Sequence, residues 1–420
     1  MRVTRLVWLP ALAGTLLAAA GARADVTYNL EPMVGAGATD NARITTTGQE
    51  RVSDTYTFAG GNVRLTYRRA RLTLTAAYQG AYTQYLREGG FSTFTNNLAL
   101  RSAFDLSARW KLGFGANGTL TRASGLNPLD PTVVTPQAAV AGSTLYLGTG
   151  VSQELAYEPT PREGYLETLS VTQLRYLESI RDGMALNLPT TTFIGLGLIG
   201  FREMGLNRFS LELSAGDSFR ETPEGAPSNP NADGHTLIGR LLAGWRRELS
   251  PVWATSLQAG PAVIVRLDGS GVMAPAFVGS LDYKRLPWYA SLTALQSPAP
   301  NLFLGTATIS DQVIARLALP LTQSERLFVG GYGGYIYARI ANDQQDLVRV
   351  YDQIFGGLTL TGRIPKVPLV VALNYLVLSQ RGNATTTTPV PDLARQVVFV
   401  TLRGEFAWGP GTPPMFGGPL

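Results

Sequence analysis

The 420-residue sequence contains no cysteine and only one histidine. Without cysteine the chain can form neither a disulfide framework nor a thiolate metal site, and it cannot carry a lipoprotein anchor. Charged residues are scarce as well, at 15% of the chain, whereas roughly 25% is usual for a soluble protein. This composition, together with 46 glycines, is unlike that of an average cytosolic enzyme and favours an exported β-rich protein.

Long hydrophobic runs are also missing beyond the first 24 residues. A membrane-spanning helix needs about 20 predominantly apolar residues, so the sequence excludes an α-helical membrane protein. The net charge of +5 is modest and spread along the chain, without the basic block that a nucleic-acid-binding protein needs. We therefore expect no nucleic-acid partner.

The first residues have the features of a secretory signal peptide. Arg2 and Arg5 form a positive n-region, Leu6–Gly21 forms an apolar h-region, and Ala22-Arg23-Ala24 is a small-residue cleavage site. This pattern predicts a signal peptide over residues 1–24 and a mature chain that begins at Asp25.

From residue 25 to residue 408 one pattern repeats, a segment of alternating apolar and polar positions followed by a turn. In the segment 71–87, one face carries Leu72, Leu74, Tyr78 and Tyr82 and the other carries Thr73, Thr75, Gln79 and Thr83. Because strand side chains point alternately to two faces, one set should face lipid and the other a lumen. The pattern predicts about eighteen antiparallel strands, an even number that leaves both chain ends in the periplasm.

The connections between these segments support the same count. The long, loop-like connections are all odd-numbered and include 39–53, 122–142, 178–189, 221–235 and 380–391, whereas every even-numbered connection is short. A membrane barrel alternates tight periplasmic turns with longer extracellular loops. We therefore predict an all-β fold, a transmembrane antiparallel up-and-down β-barrel over residues 25–408, with a Gly/Pro-rich tail over 409–420.

Other features of the barrel follow from the same segments. The first strand begins directly after the signal peptide, so we expect barrel and loops without a globular plug. Loop 122–142, with Pro128, Pro131 and Pro136, could fold inward and narrow the lumen. Aromatic residues near strand ends should form two interfacial girdles; they include Tyr28, Tyr56, Tyr85, Phe104, Trp110, Tyr157, Trp245, Trp253, Trp288 and Trp408.

Inward-facing charge is the main functional signal in the sequence. Alternation assigns nine basic residues to the lumen, namely Arg64, Arg68, Arg101, Arg109, Lys111, Arg240, Arg246, Arg363 and Arg403. The acidic residues assigned to the same face are Asp105, Glu154, Glu212 and Glu405. The basic excess would attract anionic solutes or polymers, whereas Arg–Glu ladders would only satisfy a polar interior, and both roles can hold at once.

Two other groups are candidate sites. His235, at the end of an extracellular loop, could act in hydrolysis with a serine such as Ser228, but no nucleophile motif accompanies it. Asp40 with Asn41, and the segment 229–233, could bind calcium, but neither has a defined ligand spacing, and turn chemistry accounts for both. We therefore predict no catalytic residue, no metal site and no cofactor.

Over residues 25–408 the chain resembles the bacterial outer-membrane β-barrel class. A shorter match, Tyr28-Asn29-Leu30-Glu31-Pro32 followed by Asp40-Asn41, is similar to the start of the plug-less barrels that accompany exopolysaccharide assembly systems. The chain departs from the class at its end, where Phe406-Ala407-Trp408 is followed by a tail, whereas such barrels commonly finish on an aromatic residue.

The resemblance implies a Gram-negative outer-membrane protein that is surrounded by outer-membrane lipid and inserted by the β-barrel assembly machinery. We expect a channel for polar, preferentially anionic, solutes, or an export pore for a secreted polysaccharide that works with a periplasmic polysaccharide-export protein. An outer-membrane hydrolase that uses His235 and a structural or adhesive barrel that acts through its extracellular loops are the alternatives.

The signal-peptide assignment is tested by intact-mass measurement of the protein purified from outer membranes. The mass should correspond to a chain that begins at Asp25, because the peptidase cleaves after the small residue Ala24. Replacing both Ala22 and Ala24 by tyrosine should leave the precursor uncleaved. A wild-type mature chain that retains residues 1–24 would contradict the assignment.

Overall fold

The computed structural model of the chain describes residues 25–42, 50–123, 143–181, 184–185, 190–221, 234–266, 271–285, 287–301, 306–322, 326–341, 347–365, 367–383 and 392–408. Eighteen barrel strands run through these ranges: β1 Asp25–Thr39, β2 Asp54–Arg69, β3 Leu72–Tyr85, β4 Thr93–Asp105, β5 Trp110–Ala123, β6 Ser143–Thr160, β7 Glu163–Arg181, β8 Thr190–Met204, β9 Asn207–Glu221, β10 His235–Glu248, β11 Trp253–Arg266, β12 Gly271–Arg285, β13 Trp288–Asn301, β14 Thr306–Pro320, β15 Leu327–Ala341, β16 Leu347–Arg363, β17 Leu369–Gly382 and β18 Leu393–Gly404. After Glu405, β18 resumes as Phe406–Trp408.

Two minor elements accompany the strands. A single 3₁₀ turn spans Gly89–Phe91, and a two-residue strand, Met184–Ala185, pairs with the end of β7. No helix in the described ranges is long and apolar enough to cross a membrane.

The strands form a closed ring. Each pairs antiparallel with the next along the chain, and β1 also pairs with β18 from Met33↔Arg403 to Thr39↔Val397. In hydrocarbon an unpaired backbone N–H or C=O costs several kcal/mol, so a sheet is stable there only when it has no free edge. The predicted all-β barrel of about eighteen strands is confirmed.

The connections differ in length at the two ends of the barrel. One end has only short turns, such as Ala70-Arg71 and Gly205-Leu206, and the other has the long loops, such as 222–234. Gly205 has a φ of 63°, a left-handed conformation that glycine adopts without steric cost in so tight a turn. We assign the short-turn end to the periplasm. The signal peptide, most of loop 122–142 and the tail 409–420 lie outside the described residues.

The outer face of the wall is apolar. Leu211 and Leu213 of β9, Leu241 of β10 and Leu257 of β11 are between 42% and 55% exposed. In water such a surface would be unfavourable, because burial of apolar area stabilises a protein by about 25 cal/mol per Å². The same surface is stable against lipid, as the alternation of the strands predicts.

Aromatic side chains stack around the periplasmic end of this apolar face. The ring centroids of Trp110 and Tyr157 are 4.4 Å apart, and those of Trp253 and Tyr283 are 4.9 Å apart. Rings that are apolar at one end and polar at the other suit the membrane–water interface.

Two aromatic residues of the predicted girdles are not part of them. Tyr56 and Tyr85 are 3% and 2% exposed and pack inside the barrel with Phe58 and Phe399. The prediction was wrong for them because proximity to a strand end fixes the height of a residue but not the face on which it lies.

The lumen has two different halves. On β2, the inward residues Tyr56 and Phe58 near the extracellular end are buried, whereas Arg64 and Arg68 nearer the periplasm are exposed. Buried apolar residues of β15 to β18 and of β1 to β3 cover the inner wall of the extracellular half, including Met33, Phe58, Ile336, Phe355, Leu376, Leu378, Val397 and Phe399. The expectation of a polar lumen was therefore wrong for this half, because β17 and β18 carry apolar residues on both faces.

Several inward rings lie flat on glycines of the adjacent strand. A Cβ atom at Gly35 would clash with the ring of Phe58 and with the carbonyl oxygen of Val400. A Cβ at Gly334 would meet the ring of Phe355 at 2.6 Å. Aromatic rings that cover glycines fill the space of the missing side chains, so they add apolar area to the wall without projecting across the lumen.

Gly35→Ala should lower the free energy of unfolding by about 1–3 kcal/mol, because the added methyl forces the Phe58 ring and the β18 backbone to move. Urea unfolding in lipid vesicles, followed by tryptophan fluorescence, measures this loss. Gly118→Ala is the matched control, because a Cβ at this position of β5 meets nothing within 4 Å. If Gly35→Ala and Gly118→Ala lower the free energy of unfolding equally, the contact with Phe58 is not what makes a larger side chain at position 35 unfavourable.

Candidate functional site

The hairpin of β13 and β14 leaves the barrel wall near its extracellular end. Its two strands pair with each other up to Asn301↔Thr306. The ladder between β12 and β13 ends at Phe277↔Gln296, and the ladder between β14 and β15 reaches no further than Ile309↔Arg339. We call residues 297–301 and 306–310 the inward hairpin, since most of this segment has no ladder to the wall.

The inward hairpin lies within the lumen. The consecutive residues Ala307, Thr308, Ile309 and Ser310 are 3%, 4%, 0% and 5% exposed. A strand in the wall would expose every second residue to lipid, so burial of four in a row places both faces inside the barrel. Strand β14 also approaches β10, although β11 to β13 lie between them in the order of the wall.

Apolar contacts hold the inward hairpin in place. Ala307 and Ile309 belong to one buried cluster with four residues of the wall strands β10 to β12, namely Ile238, Ile264, Val272 and Ala274. Phe193 of β8 and Leu347 of β16 pack against the same cluster. The inward hairpin therefore contacts distant parts of the wall and narrows the extracellular half of the lumen.

Arg240 joins the base of the inward hairpin to the wall. Its guanidinium donates from Nη1 to Ser297 Oγ at 3.1 Å, from Nη2 to Glu212 Oε1 at 2.6 Å and from Nε to Ser214 Oγ at 2.8 Å. Glu212 and Ser214 share the inner face of β9, and Ser297 belongs to the hairpin. Arg240 is thus the charged centre of a network that links β9, β10 and β13.

Five of the lumen charges assigned from the sequence form two ion-pair groups. Arg240 pairs with Glu212, and Glu405 accepts from Arg403 at 2.8 Å and lies 3.9 Å from Arg363. Lys111 pairs with Glu158 rather than with Glu154. These contacts are the Arg–Glu pairs that a polar interior requires.

Four other assigned arginines form no ion pair among the described residues. They are Arg64, Arg68, Arg101 and Arg246, and all four are exposed at inward positions of the periplasmic half. Glu154 is exposed and also lacks an ion pair there, and Asp105 lies opposite Lys111 in the β4–β5 register. Arg109 was placed wrongly, because β5 begins at Trp110 and Arg109 lies in the preceding turn.

The sequence reasoning missed several inward charges. Arg395 is 3% exposed and donates to Tyr85 Oη at 2.6 Å, and Arg208 lies 3.5 Å from the centroid of the Phe201 ring. Glu31, which accepts from Asn62, and Glu203, which is opposite Arg208, also face inward and reduce the basic excess. The signal for Arg395 was present, because it has the same parity as Arg403 on β18.

The residues considered for other chemistry have structural partners. His235 Nδ1 lies 2.7 Å from Asp217 Oδ2, and its ring stacks on Phe219 on the outward face that also carries Leu213 and Leu237. Asp40 accepts from the Gln396 backbone N–H, and Asn41 donates to the Ala394 carbonyl. Within the described ranges, no three His, Asp or Glu side chains are grouped to hold a metal ion. Segment 222–233, with Ser228 and the second calcium candidate, lies outside those ranges.

A closed antiparallel barrel with an apolar outer face and an enclosed lumen is the architecture of transmembrane β-barrels. The chain therefore has the fold of a transmembrane β-barrel of eighteen strands.

No protein-family model and no curated protein matches the sequence. Among solved structures, OccAB3 of Acinetobacter baumannii has a TM-score of 0.44 and 10% identity, with 92% of this chain and 100% of that chain covered. OccK2 (OpdF) of Pseudomonas aeruginosa, solved with glucuronate, has a TM-score of 0.45 and 9% identity, with 91% and 98% covered. The FrpB iron transporter of Neisseria meningitidis has a TM-score of 0.45 and 7% identity, with 94% and 83% covered. Similarity at this level carries no information about what this chain transports.

Arg240→Met should lower the free energy of unfolding by about 2–3 kcal/mol, because it leaves the Glu212 carboxylate, 12% exposed, without its cation. Urea unfolding in vesicles measures the loss. The double variant Arg240→Met/Glu212→Leu should recover part of it, since no unpaired charge remains. A double variant as unstable as the single one would show that pairing with Glu212 is not the reason for the loss.

Proposed function

We propose that the protein is an outer-membrane channel through which small polar solutes diffuse, with a preference for anions. The observation that carries the proposal is the lumen of the eighteen-strand barrel, whose periplasmic half has exposed polar and charged walls. Barrels of about 16 to 18 strands are wide enough to enclose an aqueous channel. A purely structural or adhesive barrel has no need for exposed charges on its inner wall.

The inward hairpin supports small solutes as the cargo. It crosses the extracellular half of the lumen and is held by the cluster around Ile309 and by the Arg240–Ser297 hydrogen bond. A pore narrowed in this way admits a small molecule more readily than a polymer chain. Loop 122–142, which could also narrow the pore, lies largely outside the described residues.

The preference for anions rests on the arginines without ion pairs. Arg64 and Arg68 lie on β2, Arg101 lies on β4 with only β3 between them, and Arg246 lies on β10. An exposed guanidinium is always charged and presents several N–H donors to a carboxylate or phosphate. Glu31 and Glu203 face the same space, so we expect a moderate preference rather than exclusion of cations.

Export of a secreted polysaccharide is the second form of the channel hypothesis. Export requires a path that is wide enough for a polymer chain, so the inward hairpin would have to be displaced. It also requires a periplasmic export protein as partner. Insertion by the β-barrel assembly machinery through Phe406 and Trp408 is likewise a prediction. The enzyme alternative has little support, because His235 contacts Asp217 and Phe219 on the lipid side of the wall.

Ion selectivity in planar bilayers tests the proposal. Under a potassium chloride gradient the wild type should conduct and should favour chloride, and Arg246→Glu should lower the chloride-to-potassium permeability ratio. Arg247→Glu is the matched control, because Arg247 is the next residue of β10 and faces outward. Salt near 0.1 M is suitable, since the screening length there is about 10 Å.

Three results would count against the proposal. Absence of conductance would reject a channel in favour of a structural barrel. Conduction that does not discriminate between chloride and potassium would reject the preference for anions. An equal change in the two variants would show that the lumen position of Arg246 does not matter.

A further inference from the structure

Two neighbouring strands of the barrel wall are hydrogen-bonded over only part of their length, and we call the boundary between them the β12–β13 seam. Strands β12 and β13 pair from Arg285↔Trp288 to Phe277↔Gln296, and there the ladder ends. Both strands continue beyond that point, β12 to Gly271 and β13 to Asn301. Over this stretch β12 still pairs with β11 on its other side, and β13 still pairs with β14. The extracellular half of the β12–β13 seam therefore has no ladder.

Prolines explain why the ladder ends where it does. Continuing the register beyond Phe277↔Gln296 would place Pro275 opposite Pro298 and Met273 opposite Pro300. Proline has no N–H, so three of the four positions in these two pairs cannot donate. The ladder to β14 continues past Pro298 and Pro300, as expected if their nitrogen atoms face β12.

The same prolines lower the cost of the open seam. An unpaired backbone N–H in hydrocarbon costs several kcal/mol, which normally forbids a free strand edge there. Pro275, Pro298 and Pro300 have no N–H to leave unsatisfied. This edge therefore has fewer unsatisfied donors than an ordinary strand edge, which lowers the cost of leaving it open in the membrane.

The two sides of the open seam are apolar. On the lipid side, Met273 is 77% exposed, the highest value among the exposed large hydrophobic residues of the described chain. On the lumen side, Val272 and Ala274 belong to the cluster with Ile264 and Ile309. Apolar side chains thus lie on both faces of the wall at the open seam, and those on the lumen side contact the inward hairpin.

We propose that the β12–β13 seam is a lateral portal through which the aliphatic chain of an outer-leaflet amphiphile reaches the cluster beneath the inward hairpin. The occupant follows from the surroundings, since the seam opens to hydrocarbon and its neighbours on both sides are apolar side chains. A polar solute would have to give up its hydration there, whereas an alkyl chain passes from one apolar environment to another without that cost. The inference goes beyond the proposed channel, which concerns the aqueous lumen.

Photolabelling of the wild-type protein tests the portal. The full chain is reconstituted in phosphatidylcholine vesicles that contain a phospholipid with a diazirine near the end of one acyl chain, and labelled residues are mapped after illumination. The position of the label distinguishes lipid from lumen, because the side chains of β12 alternate. The odd residues Met273 and Phe277 face lipid, and the even residues Val272 and Ala274 face the lumen. We expect label on Ala274, Val272 or Ile309 as well as on Met273.

Two controls make the result specific. Thr83, an inward residue with complete ladders to β2 and β4, should remain unlabelled. The variant Pro275→Val/Pro298→Val/Pro300→Val, which restores the missing donors, should lose the label on Val272, Ala274 and Ile309 and keep it on Met273. Its conductance should persist, which separates the portal from the channel.

The outcomes are decisive in either direction. Label confined to Met273, Phe277 and other outward residues of the wild type would overturn the portal. Equal labelling of Thr83 and Ala274 would mean that the probe penetrates the whole barrel wall, and this result would also overturn the portal. If the triple variant does not fold, the comparison of inward and outward residues in the wild type still decides.

Discussion

Every part of this structure depends on the requirement that backbone hydrogen bonds be satisfied within the membrane. Hydrocarbon offers no partner to an N–H or C=O group, so the sheet must close on itself. The pairing of β1 with β18 removes the last free edges and thereby fixes an apolar outer face and an enclosed lumen. The even number of strands, and the position of both ends of the barrel on the same side, follow from closure of an antiparallel ring.

The seam between β12 and β13 is where this requirement is relaxed. Three prolines remove some of the donors that would have needed partners, and the β13–β14 hairpin leaves the wall for the lumen. The hairpin exchanges ladder hydrogen bonds for burial of Ala307 and Ile309 in an aliphatic cluster. The segment Ser-Pro-Ala-Pro-Asn at 297–301 thus has two effects. It ends the ladder between β12 and β13, and it forms one strand of the hairpin that narrows the pore.

The sequence contained enough information to predict the barrel but not the contents of its lumen. Alternation and loop parity gave the strand number and the direction of residues such as Leu213 and Arg246. The inward hairpin could not be predicted, since its position depends on contacts between Ile309 and residues distant in sequence. The apolar layer around Phe399 was missed because alternation distinguishes two faces only when one of them is polar.

Residue-resolved amide hydrogen exchange in lipid nanodiscs most directly tests the central claim, that the described wall is closed between β1 and β18 and open along the extracellular half of the β12–β13 seam. Alternate amides of a strand point to opposite neighbours. Between Gly271 and Ala276, the amides that point away from β11 should therefore exchange rapidly, whereas the β1 amides that face β18 from Met33 to Thr39 should be protected. Uniform protection from Gly271 to Ala276 would contradict the account.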